Sequence, residues 1–164
     1  MIEWNLRPAG SDDLEPLVEI RAAAMRPDLE RLGRYDPHRV RQRFRDAYEP
    51  RHTRVIESSG TLVGCVSLRP DPDAHWLEHF YLSPAVHGAG IGTAVLRDLL
   101  ARCDRDATRV RLNVLQGSPA RRLYERVGFT LETQDPVDVF MLREPCPGRE
   151  SDCAPSGTAL RLSL

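Results

Sequence analysis

One stretch constrains this chain more than any other: Glu78 to Arg97, EHFYLSPAVHGAGIGTAVLR. It reads in three pieces. His79 to Leu82 is a short, aromatic-rich run with a strand signal. Ser83-Pro84 breaks it, because proline cannot donate to a ladder. Gly88-Ala89-Gly90-Ile91-Gly92 then leads into Thr93-Ala94-Val95-Leu96, an apolar stripe at helical spacing. The order is strand, glycine loop, helix start, and that order builds an anion site. The first helical N–H groups have no partner inside a helix. The aligned peptide dipoles add about half a positive charge there. Glycine lets a phosphate approach the backbone closely. Two familiar phosphate loops do not fit. G-x-G-x-x-G read from Gly88 ends on Thr93, and read from Gly90 it ends on Val95. A Walker loop needs a Lys, and all 23 basic residues here are Arg.

The rest of the chain reads as one domain over residues 1–143, with a mobile tail rich in Pro, Gly and Ser over 144–164. Ile2 to Arg7 alternates like a half-buried strand. Ser11 is placed to cap a first helix, which Pro27 is expected to stop. Asp36-Pro37 opens a second helix that closes before Pro50. Thr53–Glu57 and Thr61–Leu68 form a hairpin, and Trp76–Leu82 is the strand before the glycine loop. Ile91, Val95, Leu99 and Cys103 stripe a helix. Arg109–Leu115 is a strand. Ser118-Pro119 starts a helix that Gly128 caps, and Val137–Leu142 is the last strand.

Net charge is −1, so no overall field draws in nucleic acid. No apolar run is long enough to span a membrane, and MIEWNLRPAG lacks the build of a signal peptide. Cys65, Cys103, Cys146 and Cys153 form no CxxC pair. A cytoplasmic chain with reduced thiols is expected. His75-Trp-Leu-Glu78-His79 spells H-x-x-E-H, but that zinc chemistry needs a helix. The run reads as a strand, so no metal is expected. Arg39, Arg41, Arg43 and Arg45 spread round the second helix and read as a solvated face.

The spacing His87-x-x-Gly90-x-Gly92, directly after a strand, resembles the acetyl-CoA loop of the GNAT superfamily of N-acetyltransferases, with His87 where that family carries Gln or Arg. A second stretch, GSPARRLYERVGF from Gly117 to Phe129, is similar to the family's Asn-x-x-Ala-x-x-Leu-Tyr-x-x-x-Gly-Phe. Ala120, Leu123, Tyr124, Gly128 and Phe129 match, and Gly117 replaces Asn. The element order matches from about Leu6 to Leu142. The resemblance implies an α/β (α+β) GNAT fold: a central mixed, mostly antiparallel twisted sheet with helices on both faces.

It also implies roles. Gly88, Ala89, Gly90, Ile91, Gly92 and Thr93 would hold the pyrophosphate of acetyl-CoA, with His87, Gly117 and Ala120 beside them. Phe80, Tyr81 and Leu82 would offer strand backbone to the pantetheine arm, and an amide near Leu82 would hold the oxyanion. Tyr124 would lie near the cofactor sulfur. A thiol near pKa ~8.5 and a phenol near ~10 make full proton transfer uphill by roughly 2 kcal/mol, so Tyr124 is expected to stabilise the thiolate by a hydrogen bond. An alkylammonium near ~10.4 is neutral at pH 7 in about one molecule in two thousand. A base is therefore useful, and Glu78 and His79 are the candidates. Strict alternation puts Glu78 on the face of Phe80 and Leu82, with His79 opposite, which favours Glu78. The activity implied is acetyl transfer from acetyl-CoA to a small-molecule amine or a protein or peptide amine, by direct attack on the thioester. A homodimer is compatible with it. The alternative is a non-catalytic acyl-CoA-binding sensor or interaction module.

Overall fold

Thr53 to Arg69 sets the frame: two runs with consecutive buried residues, joined at Ser59-Gly60, pair as a hairpin. The structure, a computed structural model, describes residues 2–146. In chain order the main elements are β1 (Asn5–Pro8), α1 (Leu14–Arg31), α2 (Pro37–Ala47), β2 (Thr53–Ser58), β3 (Thr61–Arg69) and β4 (His75–Leu82). There follow α3 (Ile91–Arg105), β5 (Val110–Leu115), α4 (Ala120–Arg126), β6 (Thr130–Gln134) and β7 (Asp138–Arg143). The strands form one sheet in the order β1-β2-β3-β4-β5-β7-β6. Only the β4–β5 pair is parallel. The fold is α+β, with a mixed, mostly antiparallel sheet between two helical layers.

Alternation along the strands builds the two layers. Ile56, Val66, Leu77, Leu112 and Met141 face α3 and α4, where Val95, Leu96 and Leu99 cover them. Val55 and Cys65 point the other way, against Leu17 and Val18 of α1 and Phe44 of α2. Asp36 caps α2, its carboxylate accepting from the amides of His38 and Arg39 at 2.9 Å. Two of the α2 arginines are ties rather than a solvated face. Arg41 grips Glu19 and Arg45 grips Glu15, each through two hydrogen bonds of 2.9 and 3.0 Å.

Ser11 caps no helix: it opens a short 3-10 turn whose N-cap is Gly10, and Asp13 is the N-cap of α1. Two further expectations fail. Pro27 does not stop α1, which runs to Arg31. An interior proline costs a hydrogen bond and about 3 kcal/mol. The last turn recovers support from Arg26–Glu30 and Arg31–Asp28 ion pairs and from Arg31 Nη2, which donates to the Gln116 carbonyl at 2.6 Å. The second failure is β6, which the sequence reading omits. Every residue of TLETQ is exposed, so no buried face imposes a period of two, and pairing with β7 makes it a strand.

The expected tail falls largely on residues 147–164, outside the described residues. Its first part is tied down. Glu144 pairs with Arg109, and the Cys146 amide donates to Asp104 at 2.9 Å. Arg143, with its side chain 4 % exposed, anchors this corner through Asp104 and the Val127 carbonyl. Arg143→Met should therefore cost about 3 kcal/mol in denaturant unfolding, the scale for breaking a buried pair. Burial pushes the Asp104 carboxyl up, but Arg143 and the Cys146 amide outweigh it and hold it below its ordinary value. The Arg7 guanidinium does the same for Asp13. A depressed folded pKa contributes stability above the unfolded value, near ~3.9, and loses it as pH falls through the folded one. The melting temperature should be level from pH ~7 to ~5 and drop below ~4. Asp104→Asn should flatten that drop.

Candidate active site

The site begins with one extra residue in β4. Tyr81 pairs with Cys65 and Glu78 with Ser67, so Val66 alone faces both His79 and Phe80. This is a β-bulge. His79 takes the left-handed conformation, φ 48°, a strain of about 1–3 kcal/mol for a residue with a side chain. Three features hold it. The Cys65 thiol donates to the His79 carbonyl at 3.1 Å. Phe44 packs edge-on against the imidazole, centroids 5.3 Å apart. Gly64 lets the strands close, since a Cβ there would collide with the Tyr81 carbonyl oxygen.

The bulge corrects the expected faces. Paired residues share a face, so Glu78 and Tyr81 lie with Ser67 and Cys65 on the side of α1 and α2. His79, in contact with Phe44, joins them. Phe80 and Leu82 lie on the other side, packed into the α3 core. Glu78 does not share their face, because the inserted residue shifts the alternation by one. His75 to His79 is strand, so the H-x-x-E-H residues are not on one helical face.

Next to the bulge the sheet opens. β4 pairs with β5 only through His75–Val110 and Trp76–Arg111, at one end. From there to Leu82 the β4 edge has no strand partner on that side among the described residues. The Ser83 amide donates to Val63 at 2.7 Å. Backbone groups alternate sides in an antiparallel ladder, so those of Leu82 point into the gap. His87 closes back on it, Nε2 lying 3.0 Å from the Leu82 carbonyl oxygen.

The glycine loop borders the same gap. Gly88 and Gly90 have φ 78° and 80°, and a Cβ on either would meet nothing within 4 Å, so this side of the loop is open. Gly90 is the N-cap of α3 and supplies no capping side chain. The Ala94 amide is the first to bond back, to Gly90 at 3.1 Å. The amides of Ile91, Gly92 and Thr93 have no partner among the described residues, and the dipole of a helix fifteen residues long stands behind them. Gly92 sits where three elements meet: a Cβ there would lie 3.2 Å from Leu82 and 3.9 Å from Leu123 of α4. Ala89 and Ala120 pack into the core beside it.

Tyr124 follows Leu123. Its ring is buried against Phe129, centroids 5.9 Å apart. Its hydroxyl bonds to no described residue, and no fully buried polar side-chain atom among the described residues lacks a partner, so the hydroxyl oxygen keeps some contact with solvent. Burial, then the field of Tyr81, pushes the phenol far above its ordinary value. Gly117, with φ 76°, lies instead against Arg31, whose Nε would be 2.9 Å from an added Cβ. The residue is glycine for backbone and packing reasons.

On the opposite face, Glu78 bonds to Arg69 with its nearest contact at 2.9 Å. Burial pushes the His79 imidazole down, and the charge of Arg21 adds to this. The neutral ring lies 3.5 Å from the Tyr81 hydroxyl. Burial pushes the Tyr81 phenol up to about 12. The sequence reading missed Arg21. The signal was present: an Arg at the spacing of Leu14, Leu17, Val18 and Met25, on the apolar side of α1.

The fold has counterparts. A model of the acetyltransferase (GNAT) family matches residues 15–129. No curated protein matches the sequence. The structure is similar to a PaiA N-acetyltransferase from Thermoplasma acidophilum, solved in complex with coenzyme A, with TM-score 0.72, 21% identity, and coverage of 87% of this chain and 99% of that one. It is similar to the ribosomal-protein-S18-alanine N-acetyltransferase from Escherichia coli, with TM-score 0.68, 17% identity, and coverage of 91% and 98%. An N-acetyltransferase from Staphylococcus aureus Mu50 gives TM-score 0.65 at 17% identity, covering 84% and 99%. At these identities the likeness is one of fold.

Proposed function

This chain belongs to the acetyltransferase (GNAT) family, and from that premise we propose that it transfers the acetyl group of acetyl-CoA to a primary amine by direct attack of the amine on the thioester. The observation that carries the proposal is the unpaired β4 edge lying beside the uncapped start of α3. A pyrophosphate needs backbone donors at a helix N-terminus. An amide-bearing arm needs a free strand edge. Both stand together here, and the open sides of Gly88 and Gly90 leave room for the phosphates.

The roles follow from position. The amides of Gly88 to Thr93 bind the pyrophosphate. The backbone of Phe80 to Leu82 receives the pantetheine arm, and the Leu82 N–H faces the thioester oxygen as negative charge develops there. The amine nitrogen forms a bond to the acetyl carbon, and the carbon–sulfur bond breaks. Tyr124 donates a hydrogen bond to the departing thiolate. Its raised phenol makes full protonation still less favourable, so solvent supplies the final proton. The amine enters over the face of Tyr81, because α3 and the glycine loop occupy the other. Glu78 is on that face and takes the proton from the amine, directly or through water; His79 stands beside it as the neutral alternative. The acceptor is a small-molecule or protein amine, and the site of action is the cytoplasm.

A broad amine panel, read by release of free thiol from acetyl-CoA, tests this. Thiol release that depends on an amine is expected. Tight acetyl-CoA binding with no turnover on any amine would instead favour a sensor or interaction module. His87 is a further check. Its ring touches a carbonyl that a glutamine amide can also reach, so His87→Gln should change acetyl-CoA affinity by less than about tenfold, ~1.4 kcal/mol. Calorimetry measures it directly, and a larger loss would mean that the imidazole itself binds phosphate.

A further inference from the structure

Arg21 is a buried charge with no counter-ion among the described residues. Its residue is 8 % exposed. Nη1 donates to the Val40 carbonyl at 3.1 Å, Nε lies 3.1 Å from the Met25 sulfur, and the guanidinium sits 5.7 Å from the centre of the Tyr81 ring. No carboxylate among the described residues pairs with it. The contrast within this protein is Arg143, also buried but fork-bonded to Asp104. A carbonyl, a thioether and the ring and hydroxyl of Tyr81 offer only partial negative charge, and burying an uncompensated cation is costly. A thioether is also a weak acceptor on a flexible, unbranched side chain, easily displaced by a better one.

The place of this charge matters as much as its isolation. Arg21 belongs to α1 and meets the face of β4 that carries Glu78, His79 and Tyr81. The other face is filled by α3 and the glycine loop. An amine that attacks a thioester held at the Leu82 edge arrives on the Arg21 side. Met25 and Tyr81, which touch the guanidinium, and His79 beside them are all half-buried.

We infer that Arg21 reads a carboxylate on the acceptor, so that the amines acetylated by this protein are amino-acid-like or peptide molecules carrying an acid group within reach of α1. The inference rests on the acetyl-transfer reading above and names the acceptor class for the same site. A planar guanidinium and a carboxylate match through two parallel hydrogen bonds. Tyr81 would flank the pair, and Met25 would move aside.

The test uses the full chain and a matched series: common amino acids, β-alanine and γ-aminobutyrate, each against its own carboxamide. The best carboxylate should exceed its amide at least about tenfold in kcat/KM, mainly through KM, as expected for a buried charge pair. The amide has the less basic amine and so more of the reactive neutral form, which makes this preference the harder result to obtain by accident. Arg21→Met should erase the preference while leaving amide turnover within about threefold, and Arg21→Lys should restore part of it. Carboxylates no better than amides in the wild type would overturn the inference, as would an Arg21→Met protein that folds and loses both classes equally. Should Arg21→Met not fold, the wild-type series decides alone. If no amine releases thiol, the acetyl-transfer reading fails separately. Calorimetric titration of the same carboxylates and amides into the CoA-loaded wild type then decides whether Arg21 binds the acid group: selective carboxylate binding supports it, and equal or absent binding overturns it.

Discussion

Tyr124→Phe should lower kcat by about 10²-fold or more while leaving the protein folded and able to bind acetyl-CoA. The ring carries the packing, against Phe129 and within the α3 core; the hydroxyl carries no internal hydrogen bond to lose. Removing it therefore costs little in stability. What it removes is a donor at the departing sulfur, an interaction made mainly in the transition state. Such a loss lowers kcat and kcat/KM together. Because burial raises the phenol far above its ordinary value, Tyr124 stays protonated throughout the working pH range. The wild-type rate should accordingly show no decline between pH ~7 and ~9 that Tyr124→Phe abolishes. A variant with full kcat would remove Tyr124 from the chemistry.

Gly90→Glu should weaken acetyl-CoA binding by about 10²-fold, ~2.7 kcal/mol. Two effects add. Gly90 holds φ 80°, where a residue with a Cβ is strained by about 1–2 kcal/mol. The new carboxylate would also stand in the open space proposed for the pyrophosphate, and it would take the amides of α3 for itself. Gly90→Ala separates the two, since it carries the strain without the charge. Nothing within 4 Å blocks either side chain, so both variants should fold. Calorimetry that finds unchanged affinity in Gly90→Glu would sink the phosphate assignment.

How much of this was legible in the sequence depends on the kind of interaction. The strand–glycine–helix order was readable because it rests on local chemistry: a proline stop, glycines free to take positive φ, and an apolar stripe of helical period. The two helical layers were not readable from the residues; they were expected only from the family resemblance. The bulge was not. Nothing in WLEHFYL marks His79 as left-handed; the cause lies across the sheet, in the missing Cβ of Gly64 and the thiol of Cys65. That single event moved Glu78 to the other face of β4 and removed the original reason for choosing it, while placing it on the side from which the amine is proposed to come. β6 was hidden because its partner, β7, does all the work of defining it. Gly117 looked like a loss of the expected Asn, and its reason appears only once Arg31 is seen packed against it.

The joint between β4 and β5 has a mechanical consequence. Each half of the sheet, β1 to β4 and β5 to β7, is stitched along its length by antiparallel ladders, but the halves share only His75–Val110 and Trp76–Arg111. The sheet is therefore stiff within each leaf and compliant at the seam between them. Twisting one leaf against the other about that end breaks few hydrogen bonds. A molecule laid along the open edge of β4 would act as a brace across the wider end of the seam, tying the two leaves where the strands do not.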